Sequence, residues 1–179
     1  MFYQLRNATL ADKARLETLI ARSSRTLGAR DYTSEQIEGA LRGTFGVDTQ
    51  LITDGTYFVA ESDGEILGCG GWSRRRTLFG GDAGTDRDSA ELDPQTEPAK
   101  IRAFFVDPDH ARTGIGRTLL ERCEADARAY GFSRVELMAT LPGLRLYGSL
   151  GYTAGSPVHH EMAPGLTIEF VPMYKNLHE

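Results

Sequence analysis

Apolar positions recur along this chain at two spacings, and the points where one gives way to the other divide it into elements. Residues 2–7 alternate weakly through Phe2, Tyr3 and Leu5 and predict a first strand. Thr9 with Asp12 three residues on resembles a capping box, Asp standing in for the preferred Glu. Leu16, Leu19 and Ile20 then share one face of a helix that fades near Gly28. Thr33 with Gln36 opens a second helix, carried on by Ile37, Ala40, Leu41 and Phe45 at helical spacing. Residues 57–61 and 65–72 alternate as strands around Ser62-Asp63-Gly64, and an Asp-Gly pair between two such runs predicts a hairpin. Gly68, Gly70 and Gly71 thin the second strand, which marks either a bulge or close approach, or equally a bend in a twisted sheet.

Residues 73–97 follow neither spacing. Three arginines, a Gly-Gly pair and a string of acids predict an inserted surface loop. Arg74, Arg75 and Arg76 are either a solvated face or a contact for an acidic ligand. Residues 98–107 form an apolar strand suited to the interior of a sheet. Ile115, Leu119, Leu120, Cys123, Ala127 and Tyr130 then give a core-facing helical stripe that stops at Gly131. Arg134–Thr140 is the next strand, so the unit is a parallel crossover, expected to be right-handed. Pro142 starts a short helix through Leu144, Leu146, Tyr147 and Leu150, ended by Gly151. Strands over about 157–162 and 166–174 close the chain around Pro164-Gly165. This order predicts an α/β fold: one domain over 1–179, a mixed sheet and helices on both faces.

A length of 179 residues suits one domain with a sizeable core, and 40% hydrophobic with 25% charged residues is ordinary for a globular chain. The net charge of -5 argues against a general partner for nucleic acid or an anionic membrane surface. No signal-peptide core and no long apolar window is present, so no membrane span is expected. Cys69 and Cys123 fall in an apolar strand and on a helix core face. Buried free thiols in a reducing cytoplasm explain them better than a disulfide.

The chemistry concentrates between the strand at 101–106 and the helix after it. The chain there runs strand, glycine loop (Gly114, Gly116), helix N-terminus. The first turn of a helix has backbone N–H groups without internal partners, and the macrodipole adds partial positive charge, so an anion docks there readily. Arg112 and Arg117 flank the loop with formal charge. A P-loop is excluded, because Gly116 is followed by Arg117-Thr118 and preceded five residues earlier by Ala111. The dinucleotide pattern Gly-x-Gly-x-x-Gly fails at Leu119. The segment VDPDHARTGIGRTLL instead resembles the acyl-CoA-binding motif of the GNAT superfamily of N-acyltransferases, written Gln/Arg-x-x-Gly-x-Gly/Ala. The Gln/Arg position falls on Ala111, with the arginine one place later at Arg112. LRLYGSLGY, residues 144–152, resembles the family's second motif, in which a tyrosine faces the CoA sulfur; Tyr147 matches that position.

The resemblance implies a GNAT-like, mostly antiparallel sheet of about seven strands and direct acyl transfer from acetyl-CoA to the amine of a small molecule or peptide. It implies that the main chain at Phe104, Phe105 and Val106 pairs with the pantetheine arm. It further implies that the loop of Arg112, Thr113, Gly114, Ile115, Gly116, Arg117 and Thr118 holds the diphosphate. Tyr147 would donate the proton to the leaving thiolate, since a phenol with an ordinary pKa near ~10 stays protonated at neutral pH. The helices at 9–45 would shape the acceptor pocket. A homodimer is compatible with this family. A base does not stand out among Glu61, Glu136 and Glu161, and the family often uses water. Tyr152, just past the helix-ending glycine, is expected to begin a strand or seal the core. No metal is expected, because His159 and His160 are adjacent on a strand and point to opposite faces. A non-catalytic acyl-CoA sensor is the alternative, and a nucleotide-binding regulator a third reading.

Overall fold

A computed structural model describes residues 1–84 and 87–178. Eight strands form one sheet: β1 (Gln4–Asn7), β2 (Tyr57–Ser62), β3 (Glu65–Ser73), β4 (Ala99–Val106), β5 (Arg134–Thr140), β6 (Thr153–Ala154), β7 (Val158–Ala163) and β8 (Leu166–Asn176). Their order across the sheet is β1-β2-β3-β4-β5-β8-β6, with β7 also paired to β8. Every pairing is antiparallel except β4 with β5. That parallel pair frames α4 (Ile115–Tyr130), as the crossover pattern requires.

Side-chain alternation sorts the core into two layers. Along β2, Phe58 and Ala60 join α4 (Ile115, Leu119, Leu120, Cys123, Ala127) on one face, while Tyr57 and Val59 join Leu16, Ile20, Ile37 and Ala40 on the other. The latter come from α1 (Lys13–Leu27) and α2 (Ser34–Leu41). The start of α2 carries the expected capping box, while the Thr9–Asp12 pair caps a single 3-10 turn (Leu10–Asp12) that leads into α1. The Thr9 N–H donates to the Asp12 carboxylate at 2.8 Å, and the Thr33 and Gln36 side chains each accept the other's backbone N–H, at 3.1 and 2.8 Å respectively. Gly28 is the residue at the end of α1. In the β2–β3 hairpin, Asp63 and Gly64 take φ of 50° and 80°, the pair a tight primed turn demands.

Some expectations change. Thr49–Thr53 forms a short helix, α3, which the sequence does not announce; Asp48 caps it by accepting from the Gln50 N–H at 3.0 Å. Phe45 lies beyond α2 but is still buried. Tyr130 occupies the stripe of α4 yet is 50% exposed, because the last turn overruns the sheet and its ring stacks on Phe132 instead. β6 is a two-residue strand absent from the spacing pattern.

Ser73, expected in the insert, still belongs to β3; beyond it the insert has a single bridge, Arg75 to Glu91, and no helix among its described residues, and residues 85 and 86 lie outside the described part. Its arginines are engaged in ion pairs, and Arg76 is exposed. Arg74 and Arg75 both pair with the buried Asp54, and Arg76 lies 3.3 Å from Glu97. Thr77 and Gly81 are buried, and the Gly81 and Asp82 N–H groups donate to the carbonyls of Gly43 and Val47, both at 2.9 Å. The stretch at 77–82 is therefore laid against the segment between α2 and α3.

Candidate functional site

One irregularity in β4 shapes the site. Gly71 faces Arg102 and Cys69 faces Phe105, so two steps along β3 match three along β4. That extra residue is a bulge, and Ala103 within it has φ of +55°. The bulge changes which face each side chain takes. Ala99 and Ile101 belong to the α4 layer before it, and Phe104 and Val106 after it, while Ala103 and Phe105 belong to the opposite layer. Gly70 of β3 leaves the space: a Cβ there would sit 2.7 Å from the Phe104 ring.

β4 and β5 also separate. Their ladder covers Ala99–Val135 and Lys100–Glu136 and then stops. Beyond it opens a cleft walled by Arg102, Phe104 and Phe105 on one side, Leu137, Met138 and Thr140 on the other, with Tyr147 at its edge. Tyr147 lies on α5 (Leu144–Ser149) and meets the rings of Phe104 and Tyr152 edge-on, at 6.4 and 5.8 Å. Burial pushes its phenol well above the ordinary value, so the hydroxyl keeps its proton at neutral pH.

The glycine loop lies at the head of α4. Gly114 takes φ of +94° in open space, a backbone that favours glycine, and Arg112 also has positive φ at +64°. Gly116 packs against α5: a Cβ there would lie 3.0 Å from Leu146 Cδ2. The first loop amide with an internal acceptor is that of Thr118, bonded to the Gly114 carbonyl at 3.0 Å. Among the described residues, the N–H groups at 112–117 have no acceptor. These amides cap a helix of 16 residues, so partial positive charge collects at an open surface. Arg112, Thr113 and Gly114 are exposed, as is Arg117, which lies 3.7 Å from Glu121. Ile115 is buried in the core and contributes only its backbone here. The Thr118 hydroxyl is engaged by Tyr3 at 2.8 Å.

The structure thus brings Phe104, Phe105 and Tyr147 to one cleft, with Val106 and the loop continuing from the end of β4. Of the acids weighed as a base, Glu61 pairs with Arg6 and Glu136 with Lys100, while Glu161 is exposed on β7. Tyr152 is buried and donates to Glu124 at 3.0 Å, a structural role. His160 packs on Phe79 and Phe170, and His159 is exposed 3.7 Å from Glu169.

Sequence reasoning does not find Phe79 and Leu78 of the insert, which line the cleft, nor Arg102. Arg102 is buried beneath it and donates to Asp48 at 2.9 Å and to the carbonyls of Thr77 and Gly80 at 3.1 and 2.6 Å. An arginine inside the apolar run Ile101–Val106 is the signal that points to it.

Comparison with solved structures shows the same fold at low identity. A GCN5-related N-acetyltransferase from Rhodopseudomonas palustris superposes with a TM-score of 0.72 at 19% identity, covering 98% of this chain and 96% of that one. The PaiA N-acetyltransferase of Thermoplasma acidophilum, solved in complex with coenzyme A, gives 0.68 at 15% identity over 98% and 99%. YncA from Salmonella typhimurium, solved with its cofactor acetyl-CoA, gives 0.65 at 18% over 100% and 96%. Curated proteins yield no match. The model of the acetyltransferase (GNAT) family matches residues 25–152, a span that takes in the bulged strand, the glycine loop and Tyr147. With a separated strand pair, an open helix head beside it and a family model that spans both, this chain belongs to the GNAT acetyltransferase family.

Proposed function

We propose that this protein is an acetyl-CoA-dependent N-acetyltransferase acting on a primary amine of a small molecule or peptide. The observation that carries the reading is the row of unpartnered amides at 112–117, at the head of a long helix and beside a cleft that holds a protonated phenol. Those donors and the helix dipole suit a diphosphate, and the open space around Gly114 admits one close to the backbone. Beyond Lys100, the β4 edge that faces β5 has no ladder partner and suits the amide groups of an extended pantetheine arm. Solved structures of similar fold carry coenzyme A or acetyl-CoA, which supports the same donor.

In this reading the neutral amine attacks the thioester carbonyl carbon. A C–N bond forms, the C–S bond breaks, the amine proton passes to water and the thiolate takes the Tyr147 proton. The phenol is then reprotonated from solvent. Phe104 fixes the tilt of Tyr147, and Tyr147 holds a proton in a site where burial keeps it bound.

The test is twofold. Coenzyme A should raise the melting temperature where equal ATP or NAD does not, since a ligand stabilises in proportion to its binding. Thiol release from acetyl-CoA should then appear with members of a broad amine panel. Stabilisation by coenzyme A with no amine acylated would favour a sensor on the same fold.

A further inference from the structure

The gap between β4 and β5 opens toward two different chemistries. On the α4 side stand Phe104 and Tyr147, and on the side of α1 and α2 the wall is aromatic. Phe105, Phe45, Phe170 and Phe79 form a chain of rings, with centroids 5.9, 6.2 and 5.6 Å apart, and His160 closes it 4.9 Å from Phe79. These five residues come from five separate segments. Phe45 and Phe170 are buried in the core, whereas Phe79 and Phe105 remain partly exposed and present the aromatic surface to the cleft, with His160 partly exposed beside Phe79.

The position of Phe79 is fixed by main chain. Gly81 lies so close to Gly46 that an added Cβ would be 2.9 Å from its Cα, and the Gly81 N–H bonds the Gly43 carbonyl. The insert is thereby held down with Phe79 turned toward the cleft. Of the described residues lining the cleft, Arg102 is the one with a formal charge, and its donors are taken up by Asp48, Thr77 and Gly80. A ligand entering from this side meets ring faces and edges, with no free ion to pair with.

Resting on the acetyltransferase reading above, we propose that the acceptor is an arylalkylamine, its ring laid against Phe79 and Phe105 and its amine directed into the gap toward Tyr147. Aromatic rings pair with one another in offset or edge-on arrangements at these centroid distances, and an apolar ring placed there leaves no buried polar group unsatisfied. A polyamine or an acidic amino acid would bring charges to a wall that cannot answer them.

The experiment compares initial rates of thiol release from acetyl-CoA with phenethylamine, n-butylamine and spermidine. The ratio of kcat/KM for phenethylamine over n-butylamine is expected to be about tenfold or more, in line with what a well-fitted apolar group contributes to discrimination. Phe79→Leu and Phe79→Ala are each expected to bring that ratio down several-fold. Partial unfolding of a variant scales both rates alike and leaves the ratio untouched. Equal efficiency with both monoamines, a preference for spermidine, or a ratio unmoved in both Phe79 variants overturns the inference while leaving the acetyltransferase reading standing. Acylation of no amine, with coenzyme A bound, removes both.

Discussion

Phe104 meets Tyr147 edge-on at 6.4 Å because the bulge at Ala103 turns Phe104 to the α4 face, where the strand's earlier alternation would have sent it the other way. The ring is accommodated by the missing side chain of Gly70, 2.7 Å from where a Cβ would stand. Gly70→Ala therefore forces Phe104 against Tyr147 or unwinds the bulge. Overpacking of this kind costs about 1–3 kcal/mol, read as a lower urea midpoint, and activity should fall with it. A variant as stable and as active as the parent would show that the ring has room to move.

Tyr147→Phe removes one hydroxyl from a buried ring and leaves the packing on Phe104 and Tyr152 intact. If that hydroxyl delivers the proton to the departing thiolate, kcat falls by about 10²-fold, within the range for a positioned acid, with KM for acetyl-CoA little changed. Because burial raises the phenol above its ordinary value, wild-type kcat should show no loss from its ionisation up to about pH 9. Unchanged kcat in the variant would reduce Tyr147 to a packing residue.

What the sequence made readable follows from how local each signal is. The Asp63-Gly64 turn, the Thr33-Gln36 cap and the stripe from Ile115 to Ala127 are each fixed by residues within a few positions of one another, and the structure contains all three. The glycine loop was legible for the same reason. The bulge in β4 was not, since alanine does not announce a positive φ and the cause lies across the sheet in Gly70 and Phe104. Helix α3 has five residues, too few to show a period. Phe79 reads as part of a polar insert; its place in the cleft is set by Gly43 and Gly46, far back in the chain, which meet the insert only after folding.

Asp48 and Arg102 form an ion pair at 2.9 Å with side chains 1% and 2% exposed, and Arg87 adds a second guanidinium at 2.8 Å. The pair ties the cap of α3 to β4 and to the insert. Asp48→Ala leaves Arg102 charged and unpaired in the interior, which costs about 3–5 kcal/mol, whereas Asp48→Leu combined with Arg102→Met should recover much of it. Urea unfolding of the parent and the two variants checks the order, and a double variant no better than Asp48→Ala would refute the argument.

Neither thiol should react in the native state. Burial pushes Cys69 up to about 12 and moves Cys123 in the same direction, and both side chains are fully enclosed. A chromogenic disulfide reagent is expected to find no thiol in the folded protein and both in denaturant; rapid native reaction of either would contradict the packing.

Acid stability turns on Asp12. Arg6 donates to both its carboxylate oxygens at 2.8 and 3.0 Å, Arg15 adds a bond at 2.6 Å and the Thr9 N–H another at 2.8 Å. These donors, Arg6 foremost, hold the carboxyl well below its ordinary value of 3.8. The unfolded chain takes up a proton near that value while the folded chain resists. The contribution is therefore complete above about pH 5 and shrinks as the pH falls toward the depressed folded value. Arg6 is 35% exposed, so solvent screening trims the gain. Asp12→Asn should lower stability at neutral pH, and its unfolding free energy should decline less steeply than the parent's between about pH 5 and pH 2. Parallel curves for the two proteins over that range would mean that the Arg6–Asp12 pair carries none of the acid sensitivity.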